Sequence, residues 1–227
     1  MTEQLPPGSW PWLHIVARWV GRWIFRAPYR LRVRGRERVP RTGPVVVVVN
    51  HSTMLDGPIT LGMLGRPAVF LIKQEMFRGL LGVLLLRIGQ ISISRESPGR
   101  EPLMSAVRIL RAGGLIAVFP EGHRGAGKVT EASNGAAWLA RTAGAQVLPI
   151  AVRGTLRGPG QRGLGRRIDV LVGKPFEPAE RRGRAGLAEA TEQIRAALAD
   201  LVTELDLVRD GRDGGRGTEG KWENTGE

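Results

Sequence analysis

This sequence predicts an α/β fold, a mostly parallel central sheet flanked by helices, on three observations. Residues 45–49 are five consecutive valines, and residues 114–119 (Gly-Leu-Ile-Ala-Val-Phe) and 146–152 (Gln-Val-Leu-Pro-Ile-Ala-Val) are further short apolar runs. Runs of this kind suit strands buried on both faces, the usual condition of a parallel sheet. Between them lie stretches of helical periodicity, and strands alternating with helices argue for parallel pairing. Finally, two of the runs turn abruptly polar at their C-terminal ends, into Asn50-His51-Ser52 and Pro120-Glu121-Gly122-His123-Arg124. Open α/β sheets bind ligands at that edge.

Residues 10–26 read as an amphipathic helix. His14, Arg18, Arg22 and Arg26 recur at i+4 steps along one stripe, while Trp12, Val16, Trp19 and Trp23 gather on another face, widened by Leu13, Val20 and Ile24. No run of about 18 uncharged apolar residues exists, so a spanning helix is not expected. Trp on one face and Arg on the other suit a helix lying in the headgroup layer of a membrane. The same face could instead pack on the domain, and the two arrangements are compatible. With no basic leader and with Arg inside the apolar part, a signal peptide is not expected.

Further along, residues 68–73 read as a second strand. Residues 80–88 form an apolar helix, either core or the border of a ligand groove, with core the simpler reading. Residues 101–112 make a helix closed by Gly113-Gly114, residues 133–143 another, and residues 168–172 complete the strand set. Gly57-Pro58 opens a helix after the first strand, since Pro is best tolerated at a first helical position. Leu187, Ile194, Leu198, Leu201 and Leu205 mark a C-terminal amphipathic helix packed on the sheet. From Arg209 on, Gly and charge dominate, so disorder is expected. The organisation is an N-terminal interfacial helix (1–30), one domain (31–207) and a tail (208–227). Gly122, Gly125, Gly127 and Lys128 have the wrong spacing for a Walker phosphate loop.

At 227 residues the chain is long enough for one core. Its lack of Cys excludes disulfides and thiol nucleophiles, and suits a cytosolic setting. Only three His occur, at 14, 51 and 123, so a His-rich metal site is not expected. The net charge of +13 calls for an anionic partner. Nine Arg and two acidic residues fall within residues 1–43, which concentrates the charge beside the amphipathic helix. A nucleic-acid-binding module would account for the charge, but 5% aromatic content leaves few stacking platforms.

The chemistry gathers at the two polar turns. His51 and Asp56 flank a tight strand-to-helix turn that can fold the carboxylate back onto the imidazole. That pairing fixes a tautomer and suits a neutral His acting as general base. A capping or packing pair is the plain alternative. A second strand delivering Glu121, His123 and Arg124 to the same edge is hard to explain by packing.

In sequence order, these residues resemble the glycerolipid acyltransferases of the lysophosphatidic acid (PlsC-like) type, over about residues 30–175. Asn50-His51-Ser52 through Asp56 matches the family's His-four-residues-Asp signature, and Ile72-Lys73-Gln74-Glu75-Met76-Phe77 is similar to its Lys-x-Glu stretch. Gly89-Gln-Ile-Ser-Ile-Ser94-Arg95 resembles the second motif, with Ser94 where Asp or Asn is common. Phe119-Pro120-Glu121-Gly122-His123-Arg124 matches the third, with His123 where Thr is usual. Val147-Leu148-Pro149-Ile150, ending in Arg153-Gly154-Thr155, resembles the fourth.

The resemblance implies the glycerolipid acyltransferase fold. It also implies transfer of a fatty acyl group from acyl-CoA or acyl-carrier protein to the hydroxyl of a lysophospholipid, 1-acylglycerol-3-phosphate above all. Another lipid or glycolipid acceptor is the alternative within the family. His51 would be the base and Asp56 its orienter. Lys73, Arg95 and Arg124 would contact the acceptor phosphate, with Glu121 and Gly122 shaping the acceptor site. No metal, cofactor or covalent acyl-enzyme is implied. The expected setting is the cytoplasmic face of the cell membrane, on an anionic surface and without nucleic acid. A serine esterase would share acyl chemistry, but no Gly-x-Ser-x-Gly elbow occurs.

Overall fold

A computed structural model describes residues 2–24, 28–94, 99–121, 127, 129–157 and 165–213. Within them the strands are β1 (Arg30–Arg34), β2 (Val45–Val49), β3 (Val69–Lys73), β4 (Ile91–Ile93), β5 (Leu115–Val118), β6 (Gln146–Arg153) and β7 (Arg167–Val172). The helices are α1 (Pro11–Trp23), α2 (Asp56–Met63), α3 (Gly79–Arg87), α4 (Arg100–Arg111), α5 (Gly135–Ala143) and α6 (Gly183–Asp213). The strands form one sheet in the order β1-β7-β6-β2-β5-β3-β4. All neighbours are parallel except β6 and β7.

The five valines of β2 lie at the centre of the sheet, each at most 1% exposed. Val46 and Val48 point into a layer formed with α4, α5 and α6, where Ile109, Leu139 and Ile194 are buried. Val45, Val47 and Val49 point to the opposite layer, against Ile59 and Leu61 of α2. A strand covered on both faces needs apolar side chains at every position, which is why the run carries no polar alternation. Because β2 and β5 are parallel neighbours, the polar segments that follow them emerge side by side, about 5 Å apart.

Two strands lie outside the expected set. β1 alternates Arg with Leu31 and Val33, an edge strand covered on one face, and β4 is only three residues long. α2 begins at Asp56, so Pro58 stands at its third position rather than its first. α6 runs to Asp213, so residues 208–213, expected in the tail, are helical; residues 214–227 lie outside the described residues. α3 is not core: Leu80, Leu81, Val83, Leu84 and Leu86 are all exposed, Leu80 at 90%. Only Gly82 of that helix is buried, against Phe77, so it lies on the surface through its smallest residue.

The orientation of α1 also departs from its hydropathy. His14, expected on the polar stripe, is fully buried, whereas Trp12, Val16, Trp19 and Trp23 are exposed. Contact distance decides this. A Cβ built on Gly62 of α2 would lie 2.3 Å from the Gly21 carbonyl carbon, and one on Gly21 would lie 2.4 Å from the Pro58 oxygen. The two backbones touch, and only a face of small residues permits that approach.

His14 Nδ1 donates to the Ile88 carbonyl at 2.7 Å, tying α1 to the end of α3. Burial, the largest influence, pushes the pKa of His14 below its ordinary value; the bond to Ile88 opposes this and the charge of Arg18 adds to it. The unfolded chain therefore takes up a proton near pH 6.5 that the folded chain refuses until lower pH. This contribution to stability is complete above about pH 6.5 and declines as pH falls. Thermal melts from pH 7.5 to 5.5 are expected to show a steeper loss for the parent than for His14→Gln. Parallel slopes would exclude His14 as the source.

Candidate active site

At the end of β2 the chain turns through residues 50–55 into α2. Asn50, fully buried, holds the start of this turn by a double clasp on the neighbouring strand β6. Its Nδ2 donates to the Val152 carbonyl at 3.0 Å, and its Oδ1 accepts from the Val152 amide at 2.7 Å. Asp56, 1% exposed, folds back over the turn, and its Oδ2 accepts the amides of Ser52 and Thr53, each at 2.7 Å. The same oxygen lies 3.1 Å from His51 Nδ1. An ionised carboxylate only accepts, so Nδ1 carries the proton and Nε2 is left with its lone pair. One carboxylate oxygen thus organises the turn and selects the tautomer.

The adjacent turn after β5 completes the surroundings. Phe119 stacks on the His51 ring with centroids 4.0 Å apart, and Phe70 of β3 lies 5.8 Å from Phe119. Glu121 Oε1 accepts the backbone amide of His51 at 3.0 Å. The imidazole is thereby held at Nδ1, along its face and through its backbone.

His51 stands at the wall of a cleft of about 690 Å³ between α1, α2, α3 and β3. Most of its lining is apolar, including Val20, Leu61, Phe70, Leu84, Leu85 and Ile88. Lys73, at the end of β3, lines the same cleft. Such a site joins a proton acceptor and a cation to an apolar trough, the combination an amphiphilic substrate needs. A second cavity of similar volume, beside Arg141 and Glu177, lies at the C-terminal end of α5, away from these residues.

Of the residues singled out by sequence, His51, Asp56 and Glu121 are brought into direct contact and Lys73 into the same cleft. Arg95, Gly122 and Arg124, together with His123, lie outside the described residues. Sequence reasoning missed Phe119 as the stacking partner, although it ends a strand beside the one that delivers His51. It also missed the clasp by Asn50, which only pairing between β2 and β6 reveals.

Comparison with known proteins places the chain in a family and a fold. A family model described as Acyltransferase matches residues 30–153. A 1-acyl-sn-glycerol-3-phosphate acyltransferase of Bacillus subtilis is 26% identical over 184 residues, spanning 78% of this chain and 91% of that protein. One from Pseudomonas aeruginosa is 27% identical over 195 residues, spanning 82% and 75%. The crystal structure of the 1-acyl-sn-glycerophosphate acyltransferase PlsC from Thermotoga maritima superposes with a TM-score of 0.64 at 21% identity, covering 86% of this chain and 78% of that one.

Proposed function

Because the chain belongs to the acyltransferase family, we propose that it moves a fatty acyl group from a thioester to the hydroxyl of 1-acylglycerol-3-phosphate, giving phosphatidic acid. The observation carrying this reading is the His51–Asp56 pair at the wall of an apolar cleft. The donor is acyl-CoA or acyl-carrier protein, and its thioester is already activated. His51 Nε2 takes the proton of the acceptor hydroxyl as its oxygen attacks the thioester carbonyl. The tetrahedral oxyanion then collapses, the C–S bond breaks, and the departing thiolate recovers the proton from the imidazolium. Asp56 orients the ring and offsets its charge. No metal, cofactor or acyl-enzyme enters this scheme. The cleft takes the acyl chain, each buried methylene contributing roughly 0.8 kcal/mol.

Lys73 serves the acceptor phosphate, with Arg95 and Arg124 as further contacts and Glu121 and Gly122 shaping the acceptor site. A charge-assisted bond of this kind is worth about 1.5–3 kcal/mol. Lys73→Ala is therefore expected to lower kcat/KM on lysophosphatidate at least tenfold more than on an acceptor lacking phosphate. Equal losses on both would assign Lys73 to the donor or the fold. The reading as a whole is tested by mass spectrometry of products from a panel of lysolipids offered with acyl-CoA and with acyl-carrier protein. Thioester hydrolysis without acylated lipid would overturn it.

The enzyme works at an anionic membrane surface, on the cytoplasmic face. No described helix is long and apolar enough to span a bilayer. Instead, Trp12, Trp19 and Trp23 of α1 and Leu80, Val83 and Leu86 of α3 stand exposed on the two helices that border the cleft. Patches of this composition mark interaction surfaces. The α3 side chains contribute nothing to the core, so replacing Leu80, Val83 and Leu86 by Ser is expected to leave Tm unchanged. Burying each is worth roughly 1.5–3 kcal/mol, so flotation with anionic vesicles should weaken by well over tenfold. A triple variant that melts early yet floats like the parent would remove the docking role.

A further inference from the structure

We propose that Arg153 and Asp206 form a positioning device that sets Gly127 against the His51 turn. Asp206 belongs to α6, beyond the residues matched by the family model, and Arg153 ends β6. Their contact is two-pronged: Arg153 Nε donates to Asp206 Oδ1 at 2.7 Å and Nη2 to Oδ2 at 2.8 Å. With the guanidinium plane fixed in this way, Nη1 donates to the Gly127 carbonyl at 3.0 Å.

Gly127 is wedged in the site. A Cβ built on it would lie 2.7 Å from Asn50 Nδ2, 2.7 Å from Ser52 Oγ and 2.8 Å from Arg153 Nη1. Its neighbours are thus the residue before the catalytic His and the residue after it. Val152, adjacent to Arg153, clasps Asn50 through both of its backbone groups. The dipeptide Val152-Arg153 therefore holds two things at once: the turn after β2, through Asn50, and Gly127, which is wedged against that turn. Glu121 reaches the His51 amide across that junction. A salt bridge that merely fastened α6 would need no third bond to Gly127. The planar fork of Arg provides all three; a Lys ammonium, a point donor, cannot hold the same geometry.

The proposal rests on His51 being the base, and acts on kcat rather than on substrate affinity. Small misplacements of a reacting group cost large factors in rate. Arg153→Lys and Asp206→Asn are each expected to lower kcat by about tenfold, with KM for donor and acceptor within about twofold of the parent. The exchange Arg153→Asp with Asp206→Arg restores the ion pair, so it should recover Tm. It should not recover kcat, because the carboxylate side chain of Arg153→Asp has no donor for the Gly127 carbonyl. A folded single variant with parental kcat, or an exchange that restores kcat together with Tm, overturns the proposal. Should neither single variant fold, kcat of the exchange variant decides. A parent protein that transfers no acyl group fails the functional reading instead, before any of these variants is compared.

Discussion

Replacing His51 by Ala is expected to lower kcat by about 10²–10⁴-fold, the usual contribution of a positioned general base. The fold should persist. The amide that Glu121 accepts belongs to the backbone and survives the substitution. What is lost besides the base is the Nδ1 bond to Asp56, whose Oδ2 keeps the amides of Ser52 and Thr53, and the stack on Phe119, worth about 0.5–1.5 kcal/mol beyond its area. In a chain of this size that lowers Tm by only a few degrees. Initial rates with lysophosphatidate and acyl-CoA, beside a melting curve, check both statements. A folded variant with near-parental turnover would remove His51 from the mechanism.

Asp56 should behave differently in its two obvious variants. Its Oδ2 accepts three donors, His51 Nδ1 and the amides of Ser52 and Thr53, while Oδ1 is buried and accepts none among the described residues. In Asp56→Asn the amide oxygen can keep all three bonds. The amide nitrogen then lies where Oδ1 was, a buried donor costing about 1–3 kcal/mol, and the negative charge facing the imidazolium is gone. Turnover is expected to fall about a hundredfold or more, with Tm lowered by several degrees. Asp56→Ala strips two half-buried amides of their acceptor as well, so its Tm should fall further. Kinetics and melting curves of the pair would separate the roles. If Asn turned over like the parent, the charge would be irrelevant to the chemistry.

The sheet was legible because both faces of β2, β5 and β6 are covered, which leaves uninterrupted apolar runs in the sequence. β1 was not, because an edge strand covered on one face interleaves Leu31 and Val33 with Arg, and the Arg dominate the impression. The pairing of His51 with Asp56 could be anticipated from spacing, Glu121 from the second polar turn at the same sheet edge, and Lys73 from the resemblance to an acyltransferase. Long-range partners left no local mark. Asn50 meets Val152 only through strand pairing, and Asp206 meets Arg153 only through the packing of α6. The Trp face of α1 is exposed, as a helix lying on a membrane requires, but His14 on the polar stripe is buried, because periodicity ranks residues by polarity whereas the contact with α2 ranks them by size. Likewise α3 is as apolar as a core helix, but its position on the outside follows from the sheet having its helical cover elsewhere.

The touching backbones at Gly21 and Gly62 have a mechanical consequence. α2 is only eight residues long and begins at Asp56, so the crossing lies less than two turns from the carboxylate that steers His51. No side chain cushions the junction, and nothing there can compress. Any tilt imposed on α1 through its Trp face passes to α2 and on to the imidazole as a shift of the same rigid piece. The two glycines act as a linkage of fixed length between α1 and the turn that carries His51. Under the proposed function, adhesion through α1 and alignment of His51 would be coupled adjustments, since the same two residues would hold both.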